Sequence, residues 1–178
     1  FGYEYDMAGR LLQVWQDGAL SVTYTYDANG NRLTRNTETA TYDAQDRLQA
    51  YGGGAYDWSP NGDLRTRTAA GQTTTYSYDV RGTLMSVALP GGQSIEYVND
   101  AAGRRSGKQI GGVLQRGWLW DGALPVAELD RNSGLAARFV YAADGVTPSI
   151  LVKGASSYRS TTDERGSVRF VVNVADGS

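Results

Sequence analysis

The sequence predicts an all-β protein in which consecutive antiparallel hairpins form one curved sheet. A motif made of an aromatic pair, an aspartate and a turn glycine recurs along the chain at the spacing of one hairpin. Between the motifs, apolar and polar residues alternate with a period of two, as in 11–15 and 168–174. The 23 glycines and 12 tyrosines among 178 residues are typical of many short strands joined by glycine turns.

The clearest copy of the motif spans residues 24–33. Tyr24 and Tyr26 are two residues apart, so both side chains lie on one face of a strand. Asp27 suits the first position of a type I turn, where its carboxylate accepts a hydrogen bond from the backbone N–H two residues on. Gly30 adopts the left-handed conformation that a β-carbon would make costly, and Leu33 resumes the apolar alternation. The segment therefore predicts a strand, a tight turn and a second strand.

Eight copies follow one another, and their second aromatic residues are 21, 16, 16, 20, 19, 23 and 21 residues apart. The third copy has Asp46 in place of the glycine, the sixth (95–104) carries extra turn residues, the seventh has a shortened turn, and the eighth spans 139–145. Units of this size cannot bury a face alone, so we expect them to stack on their neighbours. The motif residues, in chain order, are Tyr5, Asp6, Gly9, Arg10, Tyr24, Tyr26, Asp27, Gly30, Arg32, Leu33, Tyr42, Asp43, Leu48, Trp58, Gly62, Leu64, Tyr78, Asp79, Gly82, Leu84, Tyr97, Gly103, Trp120, Asp121 and Tyr141.

The segments between the copies define the domain organisation. The glycines at 52–54 and 91–92 are interpreted as turns at the other ends of the hairpins. Residues 43–50 have fair helix propensity, but the register of the repeat favours a turn there. No charge run or change in composition marks a boundary, which favours a single domain over 1–178. Because the chain begins and ends within the repeat pattern, we expect it to be a fragment of a longer polypeptide.

The composition excludes several kinds of site. Without cysteine the chain has neither disulfides nor thiolate metal sites, and without histidine it has no Ser-His-Asp triad and no histidine-ligated metal. The net charge of −2 disfavours a nucleic-acid or anionic-membrane partner. No apolar run approaches the ~20 residues that span a bilayer. We therefore predict no enzyme activity, no catalytic residue, no cofactor, no bound metal, no nucleic-acid partner and no membrane insertion.

The repeated pattern Tyr-x-Tyr-Asp-x-x-Gly-x-x-Leu resembles the YD repeats of bacterial Rhs proteins, insecticidal toxin-complex C proteins, wall-associated toxins and animal teneurins, over essentially the whole chain. Residues 156–178, with Thr162-Asp163 and Gly166-Ser167, look like the stretch just upstream of the Rhs-associated core. The resemblance implies a sheet that spirals into a hollow β-shell. It also implies a secreted or cell-surface bacterial protein whose shell encapsulates or delivers a C-terminal toxin. The Asp-Pro cleavage motif of that family is missing from this sequence.

The recurring residues also allow other interpretations. The aromatic residues either pack between hairpins or, in a surface adhesin that binds carbohydrate or protein, form a stacking surface for glycans. The motif aspartates cap turns rather than form a glycosidase pair, which needs two convergent carboxylates. Residues 27–31 partly resemble a calcium loop but lack its bidentate glutamate. The tryptophans available for stacking are Trp15, Trp58, Trp118 and Trp120.

The arginines that follow the turn glycines are candidates for pairing with aspartates of neighbouring repeats, or for a stripe that binds polyanions. These arginines are Arg10, Arg32, Arg47 and Arg104. As partners we expect the remainder of the parent shell, its C-terminal toxin and, in the adhesin interpretation, a glycan. We also expect the fragment to self-associate through its exposed faces and sheet edges.

Overall fold

The computed structural model describes residues 1–143 and 145–178, and these residues form eighteen β-strands and no helix. The prediction of an all-β protein is therefore confirmed. The chain divides into two compact units. Unit 1 contains Phe1–Tyr78 and Ala88–Gly92, and unit 2 contains Asp79–Val87 and Gln93–Ser178.

Unit 1 contains nine consecutive strands, and each pairs antiparallel with the next one along the chain, which confirms the predicted order of hairpins. These strands are β1 (Gly2–Tyr5), β2 (Leu11–Gln16), β3 (Ala19–Tyr26), β4 (Arg32–Arg35), β5 (Glu38–Tyr42), β6 (Leu48–Tyr51), β7 (Gly54–Trp58), β8 (Leu64–Ala69) and β9 (Gln72–Tyr78).

Unit 2 continues the same pattern, with sequential antiparallel pairing from β11 to β18. Its strands are β11 (Ser94–Asn99), β12 (Arg105–Ile110), β13 (Val113–Asp121), β14 (Leu124–Leu129), β15 (Leu135–Val140), β16 (Ile150–Lys153), β17 (Ser156–Thr162) and β18 (Val168–Asn173). The remaining strand is β10 (Leu84–Ala88). Its residues up to Val87 belong to unit 2, and Ala88 belongs to unit 1.

Two kinds of turn recur along the chain. One kind has two residues, both with positive φ, as at Gly52-Gly53 (53° and 79°) and Ala70-Gly71 (49° and 72°). These are the primed turns whose twist matches that of the flanking strands. The predicted glycine turns are confirmed, since 91–92 also lies in a turn, in which the Gly92 N–H donates to the Leu89 carbonyl. The other kind of turn contains the repeated aspartate, and residues 43–47 form such a turn rather than a helix.

The strand registers give unit 1 two chemically different faces. Cross-strand pairs such as Tyr26–Arg32 and Trp58–Leu64 place the motif aromatics on one face, which we name the aromatic face. On the opposite face, Thr25 pairs with Thr34, and their hydroxyls are 2.7 Å apart. We name this the threonine face, and the residues on it include Thr25, Thr34, Thr39, Thr41, Thr66, Thr68, Thr73 and Thr75.

Neither unit has a conventional hydrophobic core. In the part of the chain that the structure describes, the buried hydrophobic residues are Ala40, Val87, Ala127 and Ala137, and no large side chain is fully buried. Each unit is a single sheet layer, whereas independently stable domains usually pack two or more layers around a core. Other contacts must therefore contribute more to stability than they do in a two-layer domain.

The turn at Ala70-Gly71 generates a test of this fold. Ala70 has φ of 49°, a conformation that asparagine tolerates better than alanine and favours in primed hairpin turns. We expect Ala70→Asn to raise the free energy of unfolding by about 0.5–1 kcal/mol, measured by urea denaturation. The matched control is Ala101→Asn in another turn, where φ is not positive, and it should stay within about 0.5 kcal/mol. A variant at position 70 no more stable than the parent would contradict the turn type.

Candidate functional site

The repeated aspartate closes a five-residue turn, which we call the Asp turn. In the turn that begins at Asp6, the N–H of Asp6 donates to the carbonyl of Arg10, and the N–H of Gly9 donates to the carbonyl of Asp6, both at 2.9 Å. The Oδ1 atom of Asp6 accepts the backbone N–H groups of Ala8 and Arg10, at 2.9 and 2.8 Å. The predicted capping of the N–H two residues on is confirmed here. The backbone pattern recurs in eight turns of the described residues, which begin at Asp6, Asp27, Asp43, Ser59, Asp79, Asp100, Asp130 and Asp163.

The fifth residue of the turn binds the second carboxylate oxygen. Arg10, Arg47 and Arg104 donate from Nε to Oδ2 of their own turn aspartates, Asp6, Asp43 and Asp100, each at 2.7 Å. The expectation that these arginines pair with aspartates of neighbouring repeats is therefore wrong. The ion pair closes the turn from which the arginine itself comes, because four residues of tight turn bring the two side chains together.

The same arginines contact the next repeat through their other nitrogens. Nη1 of Arg10 donates to the carbonyl of Asp27 at 3.0 Å, and Nη1 of Arg47 donates to the carbonyl of Ser59 at 2.9 Å. Arg104 makes the equivalent contact with the carbonyl of Gly122. The guanidinium of Arg10 also lies 4.9 Å from the ring centre of Tyr26, within the range of a cation–π interaction. Each arginine therefore joins two consecutive turns.

The second aromatic residue of each motif makes a contact in the opposite direction. Tyr26 donates its hydroxyl to the carbonyl of Leu11 at 2.8 Å, and Trp58 donates its indole N–H to the carbonyl of Leu48 at 2.7 Å. The accepting residue faces the second aromatic position of its own repeat across the hairpin, as Leu11 faces Tyr5 and Leu48 faces Tyr42. The same contact joins Tyr42 to Arg32, Trp120 to Arg105 and Tyr141 to Pro125, at 2.9, 2.9 and 2.7 Å. We refer to the arginine and aromatic contacts together as the inter-repeat contacts.

The structure corrects the alignment of two copies. The turn of Asp100 has the usual five residues, so the expected extra turn residues in the sixth copy are wrong. Asn99 occupies the position of the second aromatic and donates its side-chain amide to the carbonyl of Leu84 at 3.3 Å. Tyr97 instead takes the first aromatic position, where Arg105 stacks over its ring at 3.7 Å.

The second copy is displaced by one residue. Asn31 is the fifth residue of the Asp27 turn and donates to Oδ2 of Asp27 at 3.0 Å. Arg32 pairs across the hairpin with Tyr26, which is the position of leucine in other copies, and Leu33 lies at the β-bulge that follows. Arg32 is therefore not equivalent to Arg10, and its guanidinium stacks over Tyr51 at 5.0 Å.

Two Asp turns were missed by the sequence analysis because no aromatic residue precedes them. Asp163 closes the turn 163–167, and its Oδ2 binds Arg169 at 2.9 Å. Asp130 closes the turn 130–134, with Ser133 in the left-handed conformation at φ 64°. Both turns keep an aspartate, a left-handed fourth residue and an apolar sixth residue, Val168 or Leu135. The signal that both share in the sequence is an aspartate followed five positions later by an apolar residue, since the left-handed φ of Ser133 cannot be read from residue type.

The four tryptophans considered for ligand stacking do not form one surface. Trp58 and Trp120 use their indole N–H groups in the inter-repeat contacts. Trp15 pairs with Leu20 on the threonine face of unit 1 and is 37% exposed, whereas Trp58 lies on the aromatic face. Trp118 is half-buried opposite Glu128 in unit 2. In unit 2, Trp118 and Trp120 are two residues apart in β13 and lie on the same face, whereas the two tryptophans of unit 1 lie on opposite faces.

The motif carboxylates are distributed one to a turn, and no three acidic side chains in the described residues are grouped as metal ligands. Asp121 ends β13 and begins a two-residue connection to β14, as the shortened seventh turn predicted. Residue 144 of the eighth copy lies outside the described residues. No helix among the described residues has the length and apolarity needed to cross a membrane.

Hydrogen bonding lowers the pKa values of the Asp43 and Asp79 carboxyls. The backbone N–H of Arg47 lowers the pKa of Asp43 below its ordinary value, and the Arg47 guanidinium adds to the effect. The backbone N–H of Thr83 lowers the pKa of Asp79 in the same way. In both cases the donors favour the charged form more than partial desolvation opposes it.

The sequence of this chain is similar to a known protein family and to several characterised proteins. The profile of the teneurin YD-shell family matches residues 1–178. Teneurin-3 of Danio rerio is 33% identical over 124 residues, which cover 65% of this chain and 4% of that protein. The toxin protein Tse5 of Pseudomonas aeruginosa is 33% identical over 119 residues, covering 57% and 9% respectively. The probable deoxyribonuclease RhsB of Dickeya dadantii is 33% identical over 123 residues, covering 65% and 7%.

Solved structures give a weaker likeness. The crystal structure of TcdB2-TccC3 aligns with 99% of this chain and 14% of that chain, with a TM-score of 0.49 and 14% sequence identity. This chain spans less than a tenth of the length of the curated relatives it matches.

The aromatic contact yields a direct stability test. Tyr42→Phe removes the hydroxyl that donates to the Arg32 carbonyl, and we expect it to lower the free energy of unfolding by about 1 kcal/mol. Tyr56 is half-buried on the same face of unit 1, so Tyr56→Phe is the matched control and should change stability by less than half as much. Urea denaturation of both variants measures the difference. Equal losses would show that the inter-repeat hydrogen bond contributes nothing specific.

The lowered pKa of Asp43 predicts a pH dependence of stability. Its folded-state pKa lies below that of the unfolded chain, near ~3.9, so the stabilisation is fully present above that value. It is lost as the pH falls from about 4 through the folded-state pKa. We expect Asp43→Asn to be less stable than the parent at pH 7 and to lose less stability between pH 5 and pH 3. Asp57→Asn, at an exposed strand position, should follow the parent profile in urea midpoints across this range.

Proposed function

Because the chain belongs to the teneurin YD-shell family, we propose that it is a wall segment of a longer YD-repeat shell that encloses or delivers a C-terminal effector. The observation that carries the proposal is the single sheet layer without a core in each unit. Such a layer needs a partner on at least one face, and a shell wall meets its contents on the inside.

Unit 2 presents the surface best suited to that contact. Leu119, Leu135, Val140 and Phe170 lie on one face of its sheet, which we name the apolar face, and they are 50, 66, 41 and 69% exposed. This face lies opposite the one that carries Trp118. Arg138 and Arg159 also lie on this face, but several exposed apolar side chains on one face of a sheet are typical of a surface that contacts another part of a protein. We infer that the apolar face is covered by other parts of the parent polypeptide.

The relatives suggest what those parts are. Tse5 is named a toxin protein, and RhsB is named a probable deoxyribonuclease. This chain matches less than a tenth of each relative. The activity in each relative's name therefore requires residues outside the matched region. By analogy, the partners of this segment are the remaining repeats and a C-terminal toxin domain, and its location is extracellular or at the cell surface. The segment itself supplies structure rather than catalysis.

The exposed apolar face makes a prediction for the 178-residue chain in solution. We expect it to form dimers or larger assemblies and to bind an environment-sensitive hydrophobic dye. Replacing Leu119, Leu135 and Phe170 together by threonine should shift the chain toward the monomer and lower the dye signal. Threonine suits exposed strand positions, so the sheet should be retained. Size-exclusion chromatography with light scattering, dye fluorescence and circular dichroism measure the three quantities.

A matched control removes three apolar residues that are even more exposed and that lie in connections between strands instead of on the face. Met7, Val80 and Val146 are 108, 101 and 83% exposed. Their combined replacement by threonine should leave association and dye binding nearly unchanged. A folded, monomeric parent chain without dye binding would refute the wall-segment proposal, because it would show that the faces are complete without a partner.

A further inference from the structure

A cleft of about 440 Å³ opens on unit 2, on the face that carries Trp118. Cross-strand pairing places Phe139 beside Leu151 and Glu128 beside Ala137, and these four residues all line the cleft. Phe139 is half-buried, so part of its side chain remains accessible. The cleft therefore has an aromatic and aliphatic floor, and its volume is within the range of small-molecule sites.

The rim of the cleft is cationic, although the chain as a whole carries a net charge of −2. Arg116, Arg131 and Lys153 line it together with the carboxylates of Glu128 and Asp130. Arg116 forms an ion pair with Glu128, so these two charges compensate each other. Among the described residues, neither Arg131 nor Lys153 forms an ion pair. Arg131 and Lys153 therefore face a ligand together with the single carboxylate of Asp130, and the rim keeps a net positive charge.

The second carboxylate is engaged by the backbone. Oδ1 of Asp130 accepts the N–H groups of Asn132 and Gly134, both at 2.8 Å. The fifth residue of this Asp turn is Gly134, so the arginine found at that position in the Asp6, Asp43 and Asp100 turns is not available here. A β-carbon at Gly134 would lie 3.0 Å from Oδ2 of Asp130, so a larger residue here would require this carboxylate to shift. The rim is thus left open where other Asp turns are closed by a long side chain.

We propose that this cleft binds an acidic saccharide, that is, a sugar ring bearing a carboxylate, as in a uronate. Arg131 and Lys153 would bind the carboxylate, since guanidinium and ammonium groups form charge-assisted hydrogen bonds with it. The side-chain amide of Gln115, which also lines the cleft, supplies a donor and an acceptor for ring hydroxyls. The ring of Phe139 provides an apolar surface for the C–H face of the sugar.

This site differs from the tryptophan platform that the sequence suggested. It contains none of Trp15, Trp58, Trp118 or Trp120, and it depends on side chains from four different strands or turns of unit 2. It is also independent of the wall-segment proposal, since it lies on the face opposite Leu119 and Phe170. Failure of either proposal would leave the other intact.

Ligand-observed NMR on the intact chain tests the proposal with D-glucuronate, D-glucose and acetate as probes. We expect saturation transfer to glucuronate and much weaker transfer to glucose, which lacks the carboxylate, and to acetate, which lacks the ring. Equal transfer to glucose and glucuronate would overturn the role of the cations. Equal binding of acetate and glucuronate would reduce the site to a simple anion site, and no transfer to glucuronate would overturn the proposal altogether.

Variants locate the binding within the structure. Arg131→Gln and Lys153→Gln should each weaken glucuronate binding by about tenfold, the expected loss of a charged hydrogen bond. Arg159→Gln is the matched control, because Arg159 is exposed on the opposite face of the same sheet, paired with Ile150. It should leave binding unchanged. If all three variants weaken binding equally, the interaction is a general charge effect and the cleft is not the site.

Discussion

The structure depends on how each turn aspartate uses its two carboxylate oxygens. In the turn of Asp43, one oxygen accepts two backbone N–H groups and the other binds Arg47, which in turn reaches the carbonyl of Ser59 in the next turn. One side chain thus fixes the turn and positions the group that joins it to its neighbour. A net hydrogen bond contributes only about 0.5–1.5 kcal/mol, but several such bonds recur in most repeats. In a sheet without a core, this repetition takes the place of large buried side chains.

The contacts run in both directions between consecutive repeats. An arginine reaches forward from the first turn to the second, and an aromatic residue of the second turn donates back to the strand that follows the first. Each repeat therefore contacts mainly its neighbours, which is the arrangement in which stability is approximately a sum of unit and interface terms. The substitutions found in some copies are compatible with this. Asn31 still binds the carboxylate of Asp27, and Asn99 still donates to the carbonyl of Leu84 in the preceding repeat.

Local chemistry explains which features the sequence predicted. The glycine turns, the strand order and the Asp turns that follow an aromatic pair, as at Asp6 and Asp43, depend on short-range patterns and were predicted correctly, whereas the turns of Asp130 and Asp163 were missed. The positions of Asn99 and Arg32 were misjudged because the alignment followed residue type, whereas the hairpin register depends on the distance from the turn aspartate. The direction of the arginine contacts was misjudged for a different reason. Whether Arg10 binds Asp6 or Asp27 depends on the three-dimensional separation of two turns, which a linear motif does not specify.

The inter-repeat contacts have a consequence for where function resides. They are made by turn residues, by one aromatic position in each repeat and by backbone carbonyls, so most other strand positions are not needed to hold the repeats together. The faces of the sheet are therefore free to differ in chemistry. Unit 1 presents threonines such as Thr25 and Thr39, while unit 2 presents the apolar face around Leu119 and, on its other side, the cationic cleft around Lys153. The repeated inter-repeat contacts thus allow one scaffold to present different surfaces along its length. We therefore expect the choice of partner to depend on the side chains of the sheet faces rather than on the motif residues.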